Sequence, residues 1–440
     1  MKIKISLALL LTLALCAAGH AQTLDKAKLD QFFDRLAEKN KAMGSLAIAR
    51  DGNVLYTRAI GYSQISGAAK KPSTTATRYR VGSITKMFTA AMIFQFVEEG
   101  KLKLTDTLDK FFPQIPNANK ITIAHILAHR SGIHSFTSDA DFGSWEGKPK
   151  TKDELLAVIA KSKPDFEPGE KMFYSNAGYI VLGFLVEKLA GKPYADTLKE
   201  RITSKLGLKD TYIGTATTEV SKNESFSYSY NGDWKQEDET HLSIPGGAGS
   251  LISTPSDLVK FIQALFDLKL ISQESLNQMM QNKMGMFTFP LDGKTLYGHG
   301  GGIDGFNALL VYLPEEKLAV AYTSNGKVYP PNSIILGIFD IYRNRPFQIP
   351  TFESIAVSAE VLDKYVGVYS SAGFPLKITV TREGSTLQAQ ATGQSSFPLE
   401  ATAPDKFKFE PAGIVMEFDA AKNQMTLRQR GQETVFTKEK

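Results

Sequence analysis

The stretch from Ile84 to Glu99 contains no glycine or proline and is apolar almost all round (Ile84, Met87, Phe88, Ala90, Ala91, Met92, Ile93, Phe94, Phe96, Val97). A helix of that kind is usually buried on every side, so the rest of the chain has to be arranged in layers around it. Gly100 suits its C-terminal stop. Tyr79-Arg80-Val81 reads as an extended lead-in, which puts Ser83 at the helix N-terminus. Unpaired N–H groups and the helix dipole favour negative charge there. Lys86 falls on the same face, one turn on. A serine hydroxyl is a weak nucleophile until a base takes its proton. A lysine held in a dry site has a reason to lose its charge, and then serves as that base or supports it. The helix N-terminus also offers a donor to an oxyanion. Serine and lysine at this spacing arise by chance about once in a chain of this length. Ser324-Asn325-Gly326-Lys327 is read as such a match, in a glycine-containing loop after a strand-like run.

The 440 residues suffice for two or three domains. With 42% hydrophobic and 22% charged residues, a large core needs no covalent staples. Lys2 and Lys4 precede an apolar run from Ile5 to Ala18, and Gly19-His20-Ala21 offers a cleavage site before Gln22. Residues 1–21 are therefore expected to be a secretory signal peptide, and the mature protein to be exported, periplasmic or secreted. Neither this run nor any later stretch is long enough for a membrane span. The single cysteine, Cys16, lies in the leader, and the bulky Leu15 before it speaks against a lipid anchor. Cleavage after Ala21 leaves a chain without disulfides or thiol chemistry. The formal charge is +5; without Lys2 and Lys4, 49 basic residues face 46 acidic ones. No Lys/Arg cluster stands out, so nucleic acid is not an expected partner. The six histidines form no metal-ligand pattern, and no cofactor is expected. The sequence leaves the oligomeric state open.

In chain order, residues 24–40 read as an amphipathic helix, and Ser45 to Tyr56 as a hairpin turning at Asp51-Gly52-Asn53. A polar loop over 62–77 leads to Ser83. Residues 100–150 mix short helices and loops. His129, in Ala128-His129-Arg130-Ser131-Gly132, is read as a structural histidine bonded to a loop near the site, in preference to a catalytic one. Residues 152–162 read as a helix, and a second apolar helix runs from near Ala177 to Gly191. Phe226, Tyr228 and Tyr230 alternate as on a strand, a packed sheet face in preference to a cleft wall. Thr254-Pro255-Ser256-Asp257 opens a helix with a cap and an N1 proline. Ala308 to Leu313 and Leu318 to Thr323 form a hairpin. From 351 to 440 strand-like runs alternate with turns, which predicts a separate small all-β domain, closed or nearly closed as a barrel.

Three segments then fall in order: Ser83-Ile84-Thr85-Lys86, Tyr174-Ser175-Asn176 and His299-Gly300-Gly301. Each alone is weak, but the first two open apolar helices and the third sits on a glycine-bounded strand. With these motifs, and with Arg80-Val81-Gly82, Leu127-Ala128-His129-Arg130-Ser131-Gly132-Ile133, Glu167-Pro168-Gly169 and Gly249-Ser250-Leu251-Ile252-Ser253-Thr254 around them, the chain resembles the serine β-lactamase and penicillin-binding-protein superfamily. It is most similar to the branch of class C β-lactamases, D-alanyl-D-alanine carboxypeptidases and related esterases and peptidases. The resemblance implies an α/β (α+β) fold for 22–350: an antiparallel sheet flanked by helices, plus an all-helical region. It implies Ser83 as acylated nucleophile, with Lys86 and Tyr174 sharing proton transfer. Which of the two is the base stays open; a phenol beside a cation is expected to ionise more readily. Asn176, His299, Gly300 and Gly301 are implied substrate contacts, and the N–H groups of Ser83 and Gly302 the oxyanion hole.

The third motif departs from the Lys-Thr-Gly of class C β-lactamases. His299 is mostly neutral at pH 7 and Gly300 has no hydroxyl, so a substrate carboxylate loses two partners. The expectation is therefore a serine hydrolase acting through an acyl-enzyme on a small peptide, amide or ester, with β-lactam hydrolysis less favoured. The alternative is a protein that binds penicillin or a D-amino-acid peptide and is acylated without turnover.

Overall fold

The computed structural model describes residues 24–214, 217–394, 396–409, 412–429 and 432–439. The expected signal peptide and Cys16 lie outside them. Helix α1 (Lys26–Glu38) is capped by Asp25 and buries Leu29, Phe32, Phe33 and Leu36. It is followed by the hairpin of β1 (Ala42–Arg50) and β2 (Asn53–Ile60). A 3-10 turn, Gly82–Ile84, leads into α2 (Thr85–Glu98), and α3 (Asn176–Ala190) and α4 (Pro255–Phe266) come next. Strands β3 (Phe287–Leu291), β4 (Lys294–Ile303), β5 (Phe306–Leu313) and β6 (Leu318–Lys327) precede α5 (Pro331–Tyr342). The strands form one antiparallel sheet in the order β3-β4-β5-β6-β1-β2.

Alternation along the strands feeds two separate cores. Leu46, Ile48, Val311, Val320 and Tyr322 pack with α1 and α5 on one face. Ala47, Leu310, Tyr312 and Ala321 face the other core, which contains α2, α3 and α4. Helix α2 is the centre of that second layer, with every residue from Thr85 to Phe96 buried. Six of these side chains are large and apolar (Met87, Phe88, Met92, Ile93, Phe94, Phe96). At about 1.5–3 kcal/mol each, they outweigh the several kcal/mol that a buried ammonium costs. The fold can therefore hold Lys86 in a dry position.

Residues 62–77 are not simply a loop. Tyr62–Ser66 pairs with Ala69–Pro72, because Gly67 at φ +58° closes a turn between them. The second serine–lysine match lies on β6, not in a loop. Ser324 Oγ lies 2.9 Å from both the Met43 and the Gly326 carbonyl oxygens, while Lys327 Nζ reaches Asn307 Oδ1 at 2.8 Å. Tyr228 and Trp234 pack on Met43 as a sheet face. Eight antiparallel strands over 367–438 close into a barrel, the last pairing with the first at Tyr369↔Lys438. The barrel has its own core, including Tyr369, Val380, Leu387, Phe407, Phe418 and Phe436. A Lys41–Glu400 ion pair of 2.9 Å ties it to the segment between α1 and β1.

Candidate active site

Ser83 sits in the 3-10 turn that starts α2, and its hydroxyl has two neighbours. Lys86 Nζ is 3.0 Å from Oγ, and the Tyr174 hydroxyl donates to Oγ at 2.7 Å. Lys86 Nζ also donates to Asn176 Oδ1 and to the Ala248 carbonyl, both at 2.8 Å. Segments some ninety residues apart thus meet at one oxygen. Tyr174 arrives just ahead of α3, and Asn176 is that helix's first residue, beyond the Ser175 cap.

Burial sets the proton affinities. Lys86 is fully buried and forms no ion pair with a carboxylate among the described residues, and desolvation holds its amine well below the usual range. A neutral amine has two N–H groups and one lone pair, which matches two obligate acceptors and one hydroxyl able to donate. The expectation that Tyr174 would ionise more readily is corrected: burial pushes its phenol up to about 12, against a lowering by its bond to Ser83.

His129 stacks on Tyr174 with ring centroids 4.3 Å apart. Its Nδ1 accepts from the Ser175 N–H at 3.2 Å, and its carbonyl accepts from Phe173 N–H at 2.8 Å. The histidine thus braces the Tyr174 segment from both sides. Burial lowers its pKa to about 3, and Lys86 adds to this whenever it carries its proton. His299 is held at about 3 for the same reasons. Its Nδ1–H donates to the Gly300 carbonyl, and its ring lies 5.0 Å from that of Phe287, centroid to centroid. The ring is buried and is not part of the cavity wall beside Ser83.

The glycines of β4 bring that strand against the Ser83 turn. A Cβ on Gly301 would stand 2.0 Å from the Val81 carbonyl oxygen and 3.3 Å from Ser83 N. One on Gly82 (φ +49°) would stand 2.8–3.0 Å from the backbone of Gly302. Pairing of β3 with β4 starts at Phe287↔Gly298, which leaves 299–303 without a β3 partner on that edge. The edge faces a cavity of about 260 Å³ that Ser83, Asn176 and Gly302 line.

Several residues of the site carried no sequence signal. Ser135 Oγ accepts from Asn176 N–H at 3.0 Å, and Thr137 Oγ1 from Asn176 Nδ2 at 2.9 Å. They belong to a loop fastened by His134, whose ring nitrogens bond Asp165 at 2.8 Å and Asp139 at 2.7 Å. Glu146, Thr240 and Asp304 also line the cavity, together with the apolar Phe142, Ile244, Pro245 and Ile303. Arg80, noted only as a flank, is buried and ion-paired with Glu239 and Asp304. Among the described residues no cluster of His, Cys, Asp or Glu is placed to hold a metal ion, and no helix is long and apolar enough to cross a membrane.

Comparison with known proteins places the fold in a family. The family model described as Beta-lactamase matches residues 29–336. Penicillin-binding protein 4* of Bacillus subtilis (strain 168) is 26% identical over 442 residues, covering 92% of this chain and 95% of that protein. Teichoic acid D-alanine hydrolase of Staphylococcus aureus (strain MRSA252) is 27% identical over 267 residues, 58% of this chain and 62% of that one. Among solved structures, D-amino acid amidase from Ochrobactrum anthropi SV3, complexed with L-phenylalanine amide, superposes with a TM-score of 0.64 at 27% identity. It covers 72% of this chain and 98% of its own.

Proposed function

The chain belongs to the beta-lactamase family, and from that premise we propose that it is an exported serine hydrolase cleaving an amide or ester of a small amino-acid or peptide substrate through an acyl-enzyme. The observation that carries this reading is the Ser83 hydroxyl held between Lys86 Nζ at 3.0 Å and the Tyr174 hydroxyl at 2.7 Å. The D-alanine hydrolase and the D-amino acid amidase among its relatives support the substrate range. The basic start and apolar run of the leader support export.

Ser83 Oγ attacks the substrate carbonyl carbon while its proton passes to Lys86 Nζ. The neutral amine is the base, because a phenol pushed up to about 12 is protonated at neutral pH. The backbone N–H groups of Ser83 and Gly302 take the negative charge that develops on the carbonyl oxygen. The carbon–heteroatom bond then breaks. The Tyr174 hydroxyl protonates the leaving group and recovers its proton from Lys86. Water hydrolyses the ester on Ser83 by the same route in reverse. Asn176, fixed by Ser135 and Thr137, keeps Lys86 pointed at Oγ.

A fluorophosphonate probe tests this. It should label Ser83 stoichiometrically in the wild type, and Ser83→Ala should lose both labelling and p-nitrophenyl acetate hydrolysis while keeping its melting temperature. Undiminished turnover in that variant would remove Ser83 as nucleophile. A nitrocefin burst without steady turnover, with no hydrolysis of amides or esters, would favour binding without catalysis.

A further inference from the structure

The cavity beside Ser83 is acidic. Glu146 and Asp304 line it, and among the described residues no lysine, arginine or histidine does. Asp304 is paired: its Oδ2 accepts from Arg80 Nη1 at 3.0 Å, and its Oδ1 accepts from Thr240 N and Oγ1 at 3.0 and 2.6 Å. The same guanidinium meets Glu239 Oε2 at 3.1 Å, so one buried cation faces two carboxylates. Glu146 adds a further carboxylate that pairs with no cation among the described residues. Its Oε2 is 3.4 Å from Thr240 Oγ1, whose single hydrogen is better used on Asp304. No other group among the described residues around the nucleophile restores positive charge. Burial holds Lys86 well below the usual amine range and both His129 and His299 at about 3.

The cavity also lies on a definite side of the reaction. Ser83, Asn176 and Gly302 line it, whereas Tyr174 and Lys86, the groups that handle the leaving-group proton, do not. It therefore receives the acyl part of the substrate. At about 260 Å³ it has room for a small residue beside the nucleophile. A carboxylate or an acylated nitrogen placed there leaves Glu146 unpaired; an ammonium pairs with it.

We propose that Glu146 determines specificity by pairing with a free ammonium on the acyl part of the substrate, so that the enzyme releases an unblocked amino acid from its amide or ester. This rests on the acyl-transfer reading above and names the substrate class of that site. An α-ammonium has a pKa near 8, so it is charged at pH 7, and a site built to pair with it discriminates against the blocked form.

The test is protection of Ser83 from fluorophosphonate labelling at pH 7 by alaninamide or N-acetylalaninamide, each as the D and the L form. Free alaninamide of at least one hand should protect at a concentration about tenfold or more below that of its N-acetyl counterpart. Glu146→Gln should erase this preference and Glu146→Asp should keep part of it, with melting curves confirming that both variants fold. Equal protection by the two amides, better protection by the N-acetyl form, protection by neither, or a preference that survives Glu146→Gln overturns the proposal. Failure of the wild type to label at all removes the acyl-transfer reading instead. The same pair of amides is then compared by calorimetric titration, where equal affinity overturns the ammonium pairing independently.

Discussion

Replacing Gly301 with alanine should disable acylation, although Gly300, its neighbour in a run of three glycines, accepts the same change. The added methyl at 301 would stand 2.0 Å from the Val81 carbonyl oxygen and 3.0 Å from its carbon. Relief requires at least about 1 Å of movement, and both sides of the clash are backbone, so no rotamer supplies it. The movement separates β4 from the Ser83 turn, and with it the Gly302 N–H from the Ser83 N–H. Oxyanion donors act at about 2.7–3.1 Å, and losing one costs about 10²–10³ in rate, or about 2.7–4 kcal/mol. A misplacement of about 1 Å is by itself worth about 10²-fold. At Gly300 the nearest atoms to an added Cβ are Leu309 Cδ1 at 3.8 Å and Ala308 O at 3.9 Å, which is ordinary contact. The second-order rate of fluorophosphonate labelling should therefore fall about 100-fold in Gly301→Ala and only about threefold or less in Gly300→Ala. Mass spectrometry of the Ser83 peptide follows the labelling, and a melting curve checks each fold. A Gly301→Ala enzyme that labels within threefold of wild type, or a Gly300→Ala enzyme that falls as far, refutes the close approach as the reason for the glycine.

Two further outcomes follow from the same geometry. Tyr174→Phe removes the hydroxyl 2.7 Å from Ser83 Oγ and should slow amide hydrolysis by tens of fold or more. It should cost much less on a p-nitrophenyl ester, whose leaving group needs no proton; equal losses on both substrates would take the protonation role from Tyr174. His299 should make the protein acid-labile. Its folded pKa of about 3 lies below the ordinary 6.5, so the stability associated with its neutral form is present above pH 6.5 and is lost as pH falls toward 3. The full shift corresponds to about 5 kcal/mol, and His299→Gln, which cannot take up that proton, should flatten the fall in melting temperature between pH 7 and pH 4.5. A variant that tracks the wild type over that range would show that His299 does not drive it.

The central helix was legible because burial on every side leaves a compositional mark: α2 lacks a polar stripe, and its one lysine stands out. The barrel was legible from alternation, and the helix starts from their caps, as at Thr254, whose hydroxyl accepts from Asp257 N–H. The walls of the site were not. Thr137 and Ser135 act through a loop whose path depends on His134 meeting Asp139 and Asp165, thirty-one residues apart in the longer case. Short hydroxyl residues in a polar loop look alike whether or not they hold an asparagine. Glu146 and Asp304 are likewise two acids among 46 in the sequence, and only the fold places both on one cavity.

The base was undecidable in sequence for a related reason. Lys86 and Tyr174 are each plausible by residue type, and the choice depends on desolvation, a property of the packed core. Burial moves the two groups in opposite senses relative to neutrality: it lowers the amine, which readies it to accept a proton, and raises the phenol, which keeps its proton in place. On the proposed mechanism, the apolar surface of α2 and α3 that makes the fold stable therefore also assigns the proton-transfer roles. A substitution that lets water reach Lys86 without touching its hydrogen bonds should weaken the base while leaving the triad of contacts intact. Tyr179 offers that opening, because its ring centroid lies 5.6 Å from Lys86 Nζ while its hydroxyl donates to the Leu127 carbonyl and not to the lysine.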